Sequence, residues 1–459
     1  MGQAAAELNK SEALLFGKPL PALLRFAVPI VLGNVFQQLY NIVDAIVVGR
    51  FLGDLPLSGI SIASPVMDIL YALIIGGTIG VGVLTGQLCG ARDWERLRLA
   101  HATALLGGSA ITVLFSVLGL VFGRRILLAQ GNSAEACAQA MLYLTVILIG
   151  LICCYLYHYY ASLLRAYGDS RTPFIVLLVS SALHALLDVL LIGVLQMGIR
   201  GVAYSTVFCQ LFSGVWLIRF THRNIPQLSL GRGELQLDAR SGKMLLGFAW
   251  AAALQQAVVC IGRLLVQGTL TGLGEQVVTG YNMGMRTEQF LFCFSQGIAA
   301  AMVVCLSQNL GRGDQARVQR FYYVSLRVEL VMAMLLGTVC FLFPRQIIGI
   351  FSDNAAVIAA GAKYTGTMAF FYLFSFFGEV IQSFFRGLGR LRLTMIASLL
   401  QVVVRVVLSY LLVPVLGITG ICVSVVTGWA LLVLIEGAYS LKKAKELTLN
   451  SGKEAMTVG

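Results

Sequence analysis

Hydrophobic residues along this chain fall into long, nearly uninterrupted runs that are separated by short polar or charged stretches. Twelve of these runs are long enough to cross a hydrocarbon core of about 30 Å as α-helices. They lie at residues 20–48, 57–87, 99–123, 137–161, 172–196, 199–220, 243–271, 277–308, 321–343, 357–384, 393–416 and 418–440. The pattern predicts an all-α polytopic membrane protein with twelve transmembrane helices.

Composition supports this interpretation. Of the 459 residues, 58% are hydrophobic and only 12% are charged, whereas soluble domains carry about 25% charged residues. The mean hydropathy is +0.84. These values exclude cytosolic enzymes, nucleic-acid binders and secreted disulfide scaffolds. The ten cysteines form no CxxC motif, and we interpret those in apolar runs as small hydrophobic residues.

The positive charges are distributed unevenly between the two sets of alternate loops. Of the 33 Lys and Arg residues, 23 lie in one set and six in the other. Cytoplasmic loops of membrane proteins carry an excess of Lys and Arg. We therefore predict that both termini are cytoplasmic and that the net charge of +12 reflects membrane topology.

The second half of the chain repeats the first at an offset of 221 residues. Gln87 and Arg165 return as Gln308 and Arg386, and the phrase TGQLCGARD returns as LSQNLGRGD. Six helices per copy is an even number, so both copies enter the membrane from the same side, an arrangement that many transporters use to place a site between two halves. The predicted division is an N-terminal lobe at 1–220, a cytoplasmic link at 221–242, a C-terminal lobe at 243–440 and a polar cytoplasmic tail at 441–459.

The first apolar run carries a polar stripe with steps of three and four residues. Its members are Asn34, Gln37, Gln38, Asn41 and Asp44. This spacing places them along one face of a helix, and such a face is too polar for lipid. The amides are explained by hydrogen bonds between helices or by a polar cavity. An ionisable residue inside a membrane is a functional candidate by default, which singles out Asp44.

A second ionisable pair lies in the fifth run. His184 and Asp188 are four residues apart and so share a helix face. A carboxylate beside an imidazole couples the protonation of the two groups, which is the property that a proton-driven site needs. The alternative is a structural pair that satisfies itself.

The repeat relates polar positions of the two halves. His158 corresponds to Glu379, and His184 corresponds to Arg405. Polar side chains at equivalent points are expected if those points line a shared cavity, to which Arg263 would also belong. Alternatively, Glu379 and Arg405 pair with each other across the tenth and eleventh helices.

These residues give the chain a resemblance to the multidrug and toxic compound extrusion (MATE) family, in particular its DinF-like bacterial branch. The resemblance extends from about residue 15 to 440, and its most specific phrases are QQLYNIVDAIVVGRFLG at 37–53 and LLRAYGDSRTP. It implies two six-helix lobes around a V-shaped cavity in a bacterial cytoplasmic membrane. It also implies export of amphipathic, often cationic, compounds against entry of protons or sodium ions.

By the same resemblance, Asp44 and Asp188 match the carboxylates that bind the coupling ion, with His184 and Asn41 beside them. The substrate cavity would be lined by Asn34, Gln37, Tyr40, His158, Arg263, Glu379 and Arg405. The family usually has Asn where this chain has His184. Imidazole is a poor ligand for Na⁺, so the substitution favours protons.

The sequence therefore predicts a secondary antiporter for multidrug efflux that is not an enzyme. The alternative within transport is a flippase for a lipid-linked saccharide or another anionic headgroup, which the buried arginines of the second half favour. HExxH, GxSxG and GxxxxGK[ST] motifs are absent, which argues against intramembrane enzymes and ATP-driven pumps. We expect no cofactor besides H⁺ or Na⁺ as coupling ion. A small organic substrate and membrane lipid are the expected partners, without nucleic acid, and we expect a monomer.

Overall fold

The computed structural model describes residues 12–52, 54–129 and 133–457. Residues 1–11, at the start of the predicted N-terminal lobe, and residues 458–459, at the end of the predicted tail, lie outside the described residues. The described part is helical and contains no β-strand. In lipid every backbone N–H and C=O needs a partner within the protein, and a helix supplies one for each group along its length.

Fourteen α-helices follow a helical turn at residues 12–16. They are α1 Pro19–Leu52, α2 Asp54–Ala91, α3 Trp94–Ala129, α4 Ala134–Tyr167, α5 Arg171–Asp188, α6 Ile199–Asn224, α7 Ala239–Gly268, α8 Glu275–Gly311, α9 Gln315–Leu342, α10 Pro344–Gly349, α11 Ala355–Ala369, α12 Tyr372–Gly387, α13 Leu391–Leu416 and α14 Ile418–Thr457.

Within the described ranges, eleven helical stretches are long and apolar enough to cross a membrane. α11 and α12 pass the same test together as a pair bent by 56°, which makes twelve crossings if the pair is one span. The bend falls at residues 370–371, inside the run that the sequence indicated at 357–384. The prediction of an all-α protein with twelve spans is confirmed.

The backbone repeats as the sequence does. Gly168 and Gly389 have φ of 116° and 75°, and each follows a helix of its half. Gly198 and Gly417, with φ of 61° and 58°, precede α6 and α14. Glycine adopts positive φ without steric cost, so each half changes direction with glycine at the same points.

The helices form two compact units. Unit 1 comprises Leu32–Ala253 together with Glu12, and unit 2 comprises Ala13–Val31 and Leu254 to the end of the described chain. Both divisions fall inside long helices, α1 and α7. The domain boundaries given above from the sequence stay a prediction.

Close backbone contacts explain why α1 and α7 are divided. In unit 1 a Cβ on Gly76 would lie 2.5 Å from Ala253 Cα, and in unit 2 a Cβ on Gly297 would lie 2.4 Å from Val31 Cγ2. Gly76 and Gly297 are related by the repeat. Glycine at both positions allows the start of α7 to approach α2 closely, and the start of α1 to approach α8.

The polar link between α6 and α7 is docked on α3 in unit 1. Glu234 forms an ion pair with Arg98 at 3.0 Å, and the backbone N–H of Asp238 donates to Thr103 Oγ1 at 3.0 Å. The backbone N–H of Gly231 and the nearby Arg98 guanidinium hold the pKa of Glu234 below its ordinary value. The link is therefore an ordered segment.

Candidate functional site

The candidate site of unit 1 is built where α5 changes its helical form. α5 ends at Asp188 and continues as a π-helical turn, Val189–Val194. Such turns are rare and occur frequently at functional sites. His184 and Asp188 lie one turn apart in α5 and are 4% and 1% exposed. Two ionisable side chains are thus withdrawn from solvent on one helix face.

Both nitrogens of the His184 ring have polar neighbours. Nδ1 lies 2.7 Å from Asp188 Oδ2 and 2.7 Å from the Tyr40 hydroxyl of α1, while Nε2 lies 3.1 Å from Thr206 Oγ1 of α6. The Ser205 hydroxyl donates to Asp188 Oδ1. The imidazole is therefore held between α1, α5 and α6 in a fixed orientation.

Asp44 completes the cluster from α1. Ligand atoms of Asp44, His184 and Asp188 all lie within 4.8 Å of one another. Asp44 is within hydrogen-bonding reach of Asp188, and its Oδ1 atom is buried and has no hydrogen-bond partner in the part of the chain that the structure describes. Two carboxyl groups can share a hydrogen bond only when one of them carries a proton. The three side chains could therefore hold a proton or a small cation.

The electrostatic character of this cluster is acidic. Two carboxyl groups face one imidazole, and Tyr143 of α4 lies within Coulombic range of Asp44, Asp188 and Asp68. With both carboxylates ionised and the imidazole neutral, the cluster carries two negative charges. In a partly dehydrated site such a field attracts cations more strongly than it would in water.

The remaining candidates of unit 1 lie outside this cluster. Asn34 and Gln37 are half-buried on α1, whereas Asn41 is exposed. Among the described residues no hydrogen bond joins Asn41 to the carboxyl groups; Tyr40 is the α1 partner of His184. His158 on α4 lies within Coulombic range of Arg165.

The suggested pair of Glu379 with Arg405 is not formed. In unit 2, Glu379 Oε1 accepts from Arg386 Nη1 at 3.0 Å. The two residues are seven positions apart in α12, which is about two helical turns and places them on one face. The ion-pair partner of Glu379 is therefore on its own helix, and not on α13.

Arg405 interacts with other groups of unit 2. It lies within Coulombic range of Glu288 and within hydrogen-bonding reach of the Tyr281 hydroxyl. Glu288 is 4% exposed and accepts from the Tyr364 hydroxyl at 2.9 Å. Arg263 is also within Coulombic range of Glu288. This group has two arginines and one acid, and so it carries the opposite charge to the cluster of unit 1.

Sequence reasoning missed the uncharged partners. Ser205 and Thr206 stand in an apolar run of α6, and a hydroxyl there gives no signal that distinguishes it from one that bonds its own helix. A buried amide network in unit 2 was missed for the same reason. Gln255 donates to Gln382 at 3.1 Å and to Ser398 at 2.8 Å.

Comparison with known proteins gives the chain its relatives. The model of the family described as MatE matches residues 29–190 and again residues 251–411, which agrees with the internal repeat. The chain is 25% identical over 437 residues to "Probable multidrug resistance protein YoeA" of Bacillus subtilis, covering 92% of this chain and 94% of that protein.

Two solved structures have the same fold. One is an outward-facing multidrug resistance MATE family transporter of the MOP superfamily, with a TM-score of 0.88 and 20% identity over 95% of this chain and 98% of the other. The second is a MOP superfamily transporter from Pyrococcus furiosus Vc1, with a TM-score of 0.87, 20% identity and the same coverage. For that protein a binding pocket of reversed polarity is said to suggest a different function.

Proposed function

This chain belongs to the MatE family of transporters, and from that premise we propose that it is a secondary antiporter which exports amphipathic, cationic organic compounds in exchange for protons. Relatives named for multidrug resistance and multidrug export support export of small compounds. As a family member the chain is a multi-pass membrane transporter and not an enzyme, and it needs no cofactor.

The observation that carries the proposal is the cluster of Asp44, His184 and Asp188 in unit 1. Its ligand atoms lie within 4.8 Å of one another, and one proton can be shared between the two carboxyl groups. An isolated acid in a membrane is costly and is retained where it binds an ion. Buried acids beside an imidazole therefore support ion coupling at this site.

Exchange follows from competition for the same charge. With both carboxyl groups ionised, the cluster attracts a cationic substrate. When a proton from the outside binds Asp44 or Asp188, one negative charge is removed and the substrate is released. Loss of that proton to the cytoplasm restores the charge and allows the next substrate to bind. Each cycle moves protons inward and substrate outward.

His184 is the reason to propose protons over sodium. Its Nδ1 atom stands 2.7 Å from Asp188 Oδ2, and its Nε2 atom faces Thr206. Sodium needs oxygen ligands on several sides, but here a ring nitrogen occupies one side of the carboxylate. A proton needs only one oxygen and can pass between the carboxyl groups and the ring.

The membrane orientation belongs to the same proposal. We propose a bacterial cytoplasmic membrane with both termini on the cytoplasmic side, because Lys and Arg are concentrated in the loops of that side. A monomer surrounded by lipid suffices, since every residue of the cluster comes from one chain.

Transport in vesicles tests the proposal. The purified protein is reconstituted in liposomes, and movement of ethidium, a fluorescent organic cation, is followed with either a pH gradient or a Na⁺ gradient imposed alone. We expect movement with the pH gradient and little with the Na⁺ gradient. Movement that requires the Na⁺ gradient would contradict proton antiport, and so would the absence of movement with the pH gradient.

A second candidate, a flippase for an anionic headgroup, is favoured by one observation. Arg263 and Arg405 surround a single acid, Glu288, in unit 2, which gives that group a positive charge. The reversed polarity described for the Pyrococcus furiosus protein makes the comparison relevant. In the same vesicles, a short-chain fluorescent phosphatidylglycerol would move between leaflets if the chain were a flippase. We expect no acceleration over protein-free liposomes.

A further inference from the structure

Unit 2 contains a second group of acids, apart from Glu288 and its arginines. Glu379 and Arg386 lie on α12 and form an ion pair at 3.0 Å. Glu329 lies on α9 and is within Coulombic range of Glu379. Glu436 lies on α14 and is within Coulombic range of both Glu379 and Arg386. Three helices thus bring three carboxyl groups together, with Glu379 near both of the others and Arg386 near Glu379 and Glu436.

Two of these acids are completely buried, and three of their four carboxyl oxygens have no hydrogen-bond partner among the described residues. Glu436 is 0% exposed, and both of its oxygens belong to these three. Glu329 is also 0% exposed; its Oε1 atom accepts from Ser295 of α8 at 3.1 Å, and its Oε2 atom is the third. An ionised carboxylate in such surroundings would lose its hydration without compensation.

The positive charge nearby is too small to neutralise all three acids. Among the described residues, Arg386 is the only cation that forms an ion pair with Glu379 and the only one within Coulombic range of Glu436. Its Nη1 atom is committed to Glu379, and its Nη2 atom donates to Gln382 at 3.0 Å. One guanidinium can balance one carboxylate, so the other two acids must be neutral and each must carry a proton.

The internal repeat indicates that the fold does not require these acids. At the offset of 221, the position of Glu329 corresponds to Gly108 in unit 1. Near the end of each half the offset is 219, as it is between Gly417 and Gly198, and the position of Glu436 then corresponds to Leu217. Unit 1 forms the corresponding helices with these residues. Burying an acid in a membrane span costs free energy. Where the fold accepts an apolar residue instead, an acid at that position indicates a functional role.

Glu379 connects the buried pair with the outside of unit 2. Its side chain is 29% exposed, whereas Glu329 and Glu436 are closed off. Glu379 is also the acid that lies within Coulombic range of both buried acids, which makes it the route by which a proton from outside would reach them. The only ligand that this arrangement needs is a proton, and no metal-sized cluster is formed by these acids among the described residues.

We propose that Glu329 and Glu436, which lie on either side of the ion pair of Glu379 with Arg386, form with Glu379 a second proton-binding site of this chain, which exchanges protons with water through Glu379. It consists of residues of unit 2 and does not share any with the site of Asp44 and Asp188. The chain would therefore bind protons in both units.

Infrared spectroscopy of the protein in nanodiscs tests this directly, because a protonated carboxyl group has its own C=O stretching band. At neutral pH we expect Glu436→Gln and Glu329→Gln each to remove the absorbance of one carboxyl group from the band of the wild-type protein. Glu275→Gln, a change at an exposed acid of α8, is the matched control and should leave the band unchanged. If both buried-site variants keep the full band, the acids are ionised and the proposal is wrong.

Exchange is tested by transfer into D₂O buffer. The bands of Glu329 and Glu436 should shift to the deuterated position, and Glu379→Gln should slow that shift at least several-fold. Bands that never shift would identify static structural acids and overturn the site. Glu436→Leu, which introduces the residue that unit 1 has at this position, serves if the Gln variant fails to fold. Because Asp44→Asn leaves the bands of unit 2 intact, failure of the proposed coupling site would be distinguishable from failure of this one.

Discussion

His184 Nδ1 lies 2.7 Å from Asp188 Oδ2, one helical turn apart on α5, at the point where the helix takes up its π-helical turn. The contact joins an imidazole ring to a buried carboxyl group. Asp44 faces the same acid from α1. This relationship makes the unit 1 cluster suited to ion coupling.

Asp44→Asn should abolish proton-coupled export while the protein still inserts in the membrane. The amide keeps the volume and polarity of the side chain but cannot exchange a proton. Since the site then has no proton to exchange at this position, pH-driven ethidium movement should fall to the rate of protein-free liposomes. Glu275→Gln should transport as the wild-type protein does. Rates of the wild type in Asp44→Asn would refute the assignment.

His184→Asn should change the ion preference without abolishing transport. The amide oxygen of Asn can coordinate Na⁺, whereas imidazole is a nitrogen donor that binds protons. We expect the ratio of Na⁺-driven to pH-driven efflux to rise. Thr206→Val, which removes only the neighbour of Nε2 at 3.1 Å, should leave that ratio unchanged. An unaltered ratio in His184→Asn would make the histidine structural.

Arg386→Gln should destabilise unit 2, because it removes the guanidinium group that pairs with Glu379 and lies near Glu436. Breaking a buried ion pair typically costs roughly 3–5 kcal/mol, and Arg386 is 13% exposed. Thermal unfolding of the solubilised protein should show a lowered midpoint. Adding Glu379→Gln should restore much of the loss, whereas adding Arg405→Gln should not, since Arg405 interacts with Glu288. If adding Arg405→Gln to Arg386→Gln raised the midpoint and adding Glu379→Gln did not, the pairing of Arg386 with Glu379 would be contradicted.

Docking of the polar link on α3 should depend on pH. The N–H of Gly231 and the Arg98 guanidinium hold the pKa of Glu234 below its ordinary value of 4.5. A lowered folded-state pKa means that the ion pair stabilises docking at pH above that ordinary value. The stabilisation is lost as the pH falls through the lowered pKa.

Hydrogen exchange of residues 225–238 measures this dependence. At neutral pH the wild-type link should be better protected than in Glu234→Gln, and the difference should vanish once the pH lies below the lowered pKa of Glu234. Gln236→Ala, a change at an exposed neighbour in the same link, is the control. A difference that persists in acid would show that Glu234 is not the group responsible.

The sequence by itself determined the number of spans, the internal repeat and the polar stripe of α1. Span number depends on the length of apolar runs, which is a local property. The separation of four residues between His184 and Asp188 already places them on one helix face. The sequence identifies Asp44, His184 and Asp188 as candidates without any information on helix packing, and their role in coupling stays a proposal.

Only the tertiary structure decided which partner each buried polar group has. Whether Glu379 meets Arg386 or Arg405, and whether Tyr40 or Asn41 reaches His184, depends on how each helix is rotated about its axis and where it crosses its neighbours. Hydropathy does not encode that rotation, since an apolar run looks alike on every face. Glu436 was overlooked for this reason: one acid in an apolar span gives no sign of its neighbours until three helices are packed together.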